Sequence, residues 1–163
     1  MADLTRVTKI YQEFPEKFRS IILSTVSAEG VPQASYAPFL MDRDKTLYLY
    51  VSGLSTHTTN LKQTCRASVL FIEDEAATQE IFARRRLTYE CTATPLPRDT
   101  PQWQTLIDRF EQRFGDVIGL MKGLPDFQVF QLQPQAGQFV MGFGAAYRVN
   151  ADDLNSLLPR RQN

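Results

Sequence analysis

Histidine occurs once in this 163-residue chain and cysteine twice. His57, Cys65 and Cys91 show no CxxC spacing, so a structural zinc site lacks ligands and no metal site is expected. Two cysteines without a framework fit a reducing, cytoplasmic setting. An excess of one charge is also missing. Eighteen Lys plus Arg face 18 Asp plus Glu, for a net charge of +0. That argues against a nucleic-acid binder relying on bulk positive charge. No apolar run approaches the ~20 residues of a membrane span. The opening "MADLTRVTKIYQEF" lacks the apolar core of a signal peptide. There is no P-loop, no dinucleotide fingerprint after a strand and no Ser-His-Asp order to defend. No catalytic residue is identified by motif.

What is present is a run of strand patterns with few helices. Leu4, Val7, Ile10, Tyr11 and Phe14 have helical spacing, and Pro15 ends or kinks that helix. Strands are expected in "RSIILSTVS", "QASYAPFLMD" and "TLYLYV", as an antiparallel meander. A short helix over 55–64 follows, with Ser55 as its N-cap. "RASVLFIE" and "RLTYECTATPL" are strands on either side of a loop or short helix. "TPQWQTLIDRFEQRFG" reads as a helix with Thr100 at the cap, Pro101 at the first position and Gly115 at the end. A short helix or turn, "DVIGLMKGLP", precedes the closing strands "FQVFQLQP" and "QFVMGFGAAYRV". The tail "NADDLNSLLP" is expected to add a last helical turn.

This order is α+β, dominated by antiparallel sheet. In "TLYLYV" both strand faces are apolar, whereas a half-solvated sheet alternates apolar with polar. A closed barrel buries one face. The other must meet a second subunit, or helices of the same chain. A dimerising barrel is the preferred reading and a helix-covered monomer the alternative. The chain is read as one domain, with an N-terminal helix over 1–17, a barrel over 18–149 and a short tail over 150–163.

The chemistry concentrates in "VSGLSTHTTN", where Val51 precedes Ser52, Ser55, Thr56, His57, Thr58 and Asn60. Hydroxyls and an imidazolium at a helix N-terminus suit an anion such as phosphate, because free N–H groups and the helix dipole converge there. Ordinary loop solvation is the competing reading. In "QFVMGFGAAYRV", Val140, Gly142, Gly144 and Ala146 make a small-residue strand face, open to a flat ligand or to tight strand packing. Arg84 and Arg86 would share a face opposite Arg85 if on a strand, either to bind acidic ligand groups or as a charged edge that resists aggregation. Trp103 is more often core or interface than a stacking platform. A bound cofactor would account for the missing acid–base cluster.

The segments "ILSTVSAEGVPQASYAPFLMD", "TLYLYVSGLSTHTTNLKQTCRASVLFIEDE", "FARRRLTYE" and "DFQVFQLQPQAGQFVMGFGAAY" resemble the FMN-binding split-barrel superfamily named for pyridoxamine 5'-phosphate oxidase. Within it they look like the haem-utilisation, HugZ/HutZ-type branch. The match spans about residues 18–150. It implies a split β-barrel with flanking helices and a homodimer with a small-molecule site at the interface. By that resemblance, Ser52, Ser55, Thr56, His57, Thr58 and Asn60 would hold an FMN phosphate. Ser35, Tyr36 and Ala37 would run beside the flavin ring; if FMN binds, Arg84 or Arg86 would be a candidate to orient an acidic substrate. Asp126 would support a haem, with Gly142 and Gly144 beside it. Two departures stand out. The second strand carries no cation where the oxidases have Arg, and His57 stands where they have Lys. The tail lacks the histidine with which haem-degrading relatives hold iron. On these grounds an FMN-dependent oxidoreductase is the first expectation. A haem-binding or haem-degrading protein is the second, and a non-enzymatic carrier of either ligand the third.

Overall fold

The computed structural model describes residues 3–159. Helix α1 (Leu4–Glu13) starts where the Asp3 carboxylate accepts the Thr5 N–H at 3.1 Å. A 3₁₀ turn, Phe14–Lys17, takes over at Pro15. The strands are β1 (Ser20–Val26), β2 (Pro32–Pro38), β3 (Leu40–Met41), β4 (Leu47–Val51), β5 (Arg66–Ile72), β6 (Arg86–Leu96), β7 (Gln128–Gly142) and β8 (Ala145–Arg148). Helix α2 (Thr56–Thr64) joins β4 to β5. Helices α3 (Pro101–Phe114) and α4 (Val117–Lys122) lie between β6 and β7.

The sheet order is β2-β1-β5-β6-β7-β4-β3, with β8 paired to β7, and every pairing is antiparallel. Both pairings of the expected meander form: β1 pairs with β2 from Ser20↔Pro38 to Val26↔Pro32, and β3 pairs with β4, which also pairs with β7. The expected strand 33–42 breaks after Pro38. β2 and β3 lie at opposite ends of the sheet order yet follow one another in the chain across Phe39. That corner brings the two sheet ends together as a split barrel. Arg113 reinforces it by donating to Phe39 O at 2.8 Å and Phe18 O at 2.7 Å.

Both faces of β4 are buried, as its pattern requires. Leu47, Leu49 and Val51 join Val7, Tyr11, Phe14, Phe71, Tyr89 and Phe139 in the barrel core. Tyr48 and Tyr50 pack with Trp103, Leu106, Ile107 and Phe110 of α3. Over β4, therefore, helix covers the outer face. Leu40 of β3 and Val129 of β7 share that cover. Tyr36 pairs across to Ile22, and Ile22 to Leu70, making an outward row on β2, β1 and β5. Tyr36 remains 70% exposed and Ile22 43%.

Three further expectations change. "FQVFQLQP" and the start of "QFVMGFGAAYRV" form a single strand, β7, bulged opposite Glu90/Cys91. The second half turns back at Phe143–Gly144, where Gly144 takes φ 63°, a conformation that glycine adopts readily. The small-residue strand face through Gly142, Gly144 and Ala146 therefore does not form. The tail makes turns and a Val149↔Leu157 bridge instead of a helical turn. Its Leu154 and Asn155 carbonyls accept from Tyr11 Oη at 2.5 Å and Gln12 Nε2 at 2.7 Å. Asn155 Nδ2 donates to Arg43 O at 3.1 Å. The tail is thus fastened beside the turn that precedes β4, at the opposite end of that strand from Ser52. Its last residues, 160–163, lie outside the described residues. No helix among the described residues is long and apolar enough to cross a membrane.

Candidate functional site

The hydroxyl-rich loop folds onto the segment that precedes β7. Ser52 Oγ donates to Asp126 Oδ2 at 2.9 Å and accepts the Leu54 N–H at 3.1 Å. Gly53 N–H donates to Asp126 O at 2.9 Å. A Cβ on Gly53 would stand 2.9 Å from that carbonyl oxygen, so this approach needs glycine. Thr58, fully buried, donates to Ser52 O at 2.5 Å. Asn60 Nδ2 donates to Thr25 Oγ1 at 3.0 Å, fastening α2 to β1. Ser55 occupies the N-cap position of α2, but its side chain makes no capping bond.

His57 meets Ser35. Its Nδ1 lies 3.0 Å from Ser35 Oγ, which in turn donates to Leu23 O at 3.2 Å. The serine has one proton and spends it on that carbonyl. His57 must therefore donate from Nδ1–H, which leaves Nε2 with a free lone pair. Burial holds the imidazole below its ordinary pKa, so the neutral form dominates at pH 7. The imidazolium expected to help hold a phosphate is disfavoured. Of the other residues placed here, Ala37 and Val51 belong to the barrel core and Tyr36 points out. β2 ends the sheet order, which leaves one of its backbone edges outside the β1 pairing.

The arginines are arranged differently from the strand pattern considered above. β6 begins at Arg86, so Arg84 lies before the strand. Arg84 donates twice to Glu73 O and lies 3.5 Å from the Glu75 carboxylate. Arg86 Nη1 donates to Arg84 O at 3.1 Å. Both guanidinium groups therefore tie down backbone. Arg85 differs, because its Nε is buried with no hydrogen-bond partner. It lines a cavity of about 380 Å³ with Glu73, Glu80, Met141, Gly142 and Phe143. Sequence spacing singled out its two neighbours. Only the fold shows which guanidinium is left over.

The residues fall into two groups. One contains Ser35, Ser52, His57, Thr58, Asn60 and Asp126. The other contains Arg84, Arg85, Arg86, Gly142 and Gly144. Asp126 precedes β7 and Gly142 ends it, so 15 residues of strand run between the groups. That is about 50 Å of chain at about 3.3 Å per residue.

Comparison with known proteins agrees with this architecture. The pyridoxamine 5'-phosphate oxidase family model matches residues 7–141. The haem oxygenase HutZ of Vibrio cholerae is 39% identical over 143 residues, covering 88% of this chain and 81% of that protein. The crystal structure of HutZ, named there as the haem storage protein of Vibrio cholerae, superposes with a TM-score of 0.77 at 33% identity, covering 82% of this chain and 94% of that one. Campylobacter jejuni ChuZ gives 0.83 at 30% identity, covering 100% of this chain and 68% of its own. With its corner-closed barrel and these relatives, the chain belongs to the pyridoxamine 5'-phosphate oxidase family of split-barrel proteins, in the haem-utilisation, HutZ-type branch.

Proposed function

We propose that this protein binds haem in a cleft completed by a second copy of the chain, and that it serves haem utilisation. The observation that carries this reading is the Asp126 carboxylate bonded to Ser52 inside the hydroxyl loop. A phosphate dianion there would face a like charge, a neutral imidazole and no Lys or Arg within residues 51–60. The order expected from sequence, FMN before haem, is thereby reversed, and the names of the HutZ relatives point the same way.

The residues suit haem. His57 presents a free Nε2 lone pair on a ring oriented through Nδ1, the form in which imidazole ligates a metal. Arg85 offers a guanidinium whose buried Nε lacks an acceptor, suited to a haem carboxylate. Tyr36, Ile22 and Phe143 offer exposed apolar surface to a porphyrin face or to a second subunit. A two-fold partner packed on the row Tyr36–Ile22–Leu70 would let one protomer's arginine group serve the other's histidine group. Bound haem would supply the iron at which oxygen can be activated, or would simply be stored.

Haemin titration of the apo-protein tests this reading. One haem per subunit with a sharp Soret band supports it. Weak haemin uptake without saturation would overturn it. Adding a reductant under oxygen separates the two roles, since degradation bleaches the Soret band and storage preserves it. FMN remains the second reading, because the first turn of α2 leaves the Ser55 side chain unused for capping. Quenching of flavin fluorescence on the same apo-protein reports it.

A further inference from the structure

A second polar cavity, of about 290 Å³, lies beneath α1, at the end of β4 away from Ser52. Lys45, Arg43 and Arg113 line it, with Glu16 and Asp42. Asp42 is already matched, since Arg109 approaches it at 2.8 Å and Tyr48 Oη donates to it at 3.0 Å. Glu16 is then the lining carboxylate left to balance three cations.

Lys45 is the unusual member. It is only 6% exposed. Its backbone takes φ 73°, where residues with a Cβ are strained. The ammonium has three N–H groups and donates one to Gln12 O at 3.1 Å, with the Tyr11 ring 5.6 Å away. Desolvation pulls its pKa down, and Glu16 only partly restores it. A buried ammonium with donors to spare is costly unless an acceptor arrives. Arg113 uses two N–H groups on Phe18 O and Phe39 O and keeps others. Arg43 stands exposed at the mouth.

We infer that this cavity is a binding site for a small oxyanion, a phosphate or carboxylate group, held by Lys45 and Arg113 and admitted past Arg43. It is independent of the haem reading, since it shares no residue with either group above.

Thermal unfolding of the full chain is measured in inorganic phosphate, in citrate and in sodium chloride at matched ionic strength. With an anion at tenfold its dissociation constant, the site predicts a rise in Tm of about 4 °C over chloride. Which anion gives the rise identifies the preferred group. Lys45→Met should abolish the rise. Arg43→Ala alters only an exposed side chain, so it should fold normally and lose at least half of it. No rise with either anion in the parent would overturn the site, as would a rise in Lys45→Met as large as the parent's.

Discussion

Ser52 Oγ and Asp126 Oδ2 are 2.9 Å apart, joining residues 74 positions apart in the chain and placing a carboxylate within a loop of hydroxyls. Asp126→Asn keeps an oxygen to accept from Ser52 and removes the charge. At the dielectric of water, about 80, one charge about 6 Å from a phosphate dianion opposes it by about 1.4 kcal/mol. The variant should therefore bind FMN about tenfold more tightly than the parent, as read by flavin fluorescence. Unchanged flavin affinity would mean that this carboxylate does not govern ligand choice.

Gly53 lets the two segments meet. A Cβ there would lie 2.9 Å from Asp126 O and 3.3 Å from Asp126 Cβ, so Gly53→Ala must push the 123–127 segment away. The variant should lose about 1–3 kcal/mol of stability in urea. Its haemin affinity should fall further than that of an equally destabilised core variant such as Val69→Ala. Equal losses in the two proteins would leave the loop with a purely structural role.

His57 can be followed alone, because it is the only histidine. Its folded pKa lies below 6.5, owing to desolvation. The unfolded chain therefore takes up a proton that the folded chain resists. This contribution to stability is present above pH 6.5 and is lost as pH falls through the folded value. A proton NMR titration should show a single imidazole midpoint below 6.5, moving upward in Ser35→Ala as water enters. A midpoint at or above 6.5 in the parent would remove the argument for a neutral, ligand-ready ring.

Much of this architecture is legible in local chemistry. Thr100 caps α3 by accepting the Trp103 N–H, Pro101 opens the helix and Gly115 closes it at φ 85°. Each of these is a short-range effect that a few residues encode. The hydroxyl loop is legible for the same reason. What was hidden depends on distant partners. Nothing near Tyr48 and Tyr50 says that α3, more than 50 residues on, covers them. Nothing in "ARRR" says that Glu73 and Glu75 occupy Arg84 while Arg85 Nε goes unpaired. The GFG turn was hidden because alternating apolar residues on both sides of it imitate one continuous strand.

Tyr11 and Tyr89 share a buried hydroxyl contact at 2.5 Å, and Tyr11 Oη also donates to Leu154 O. Tyr11 has one proton for the carbonyl, so Tyr89 must donate to Tyr11. Tyr11→Phe strands both the Leu154 carbonyl and the Tyr89 hydroxyl. Tyr89→Phe removes one donor and leaves the tail bond intact. The first should cost about 2–4 kcal/mol and the second about 1 kcal/mol, with only the first increasing proteolysis of the tail. Burial also raises the pKa of both phenols, and pushes the Cys91 thiol up to about 12. The unfolded chain releases these protons from about pH 9 for the thiol and about pH 10 for the phenols. Stability should therefore hold below pH 9 and decline steadily above it, as the folded groups resist ionisation. Urea midpoints across pH 7–11 check this, and in Tyr89→Phe the decline above pH 10 should be shallower. An identical decline in that variant would place the alkaline sensitivity elsewhere in the barrel.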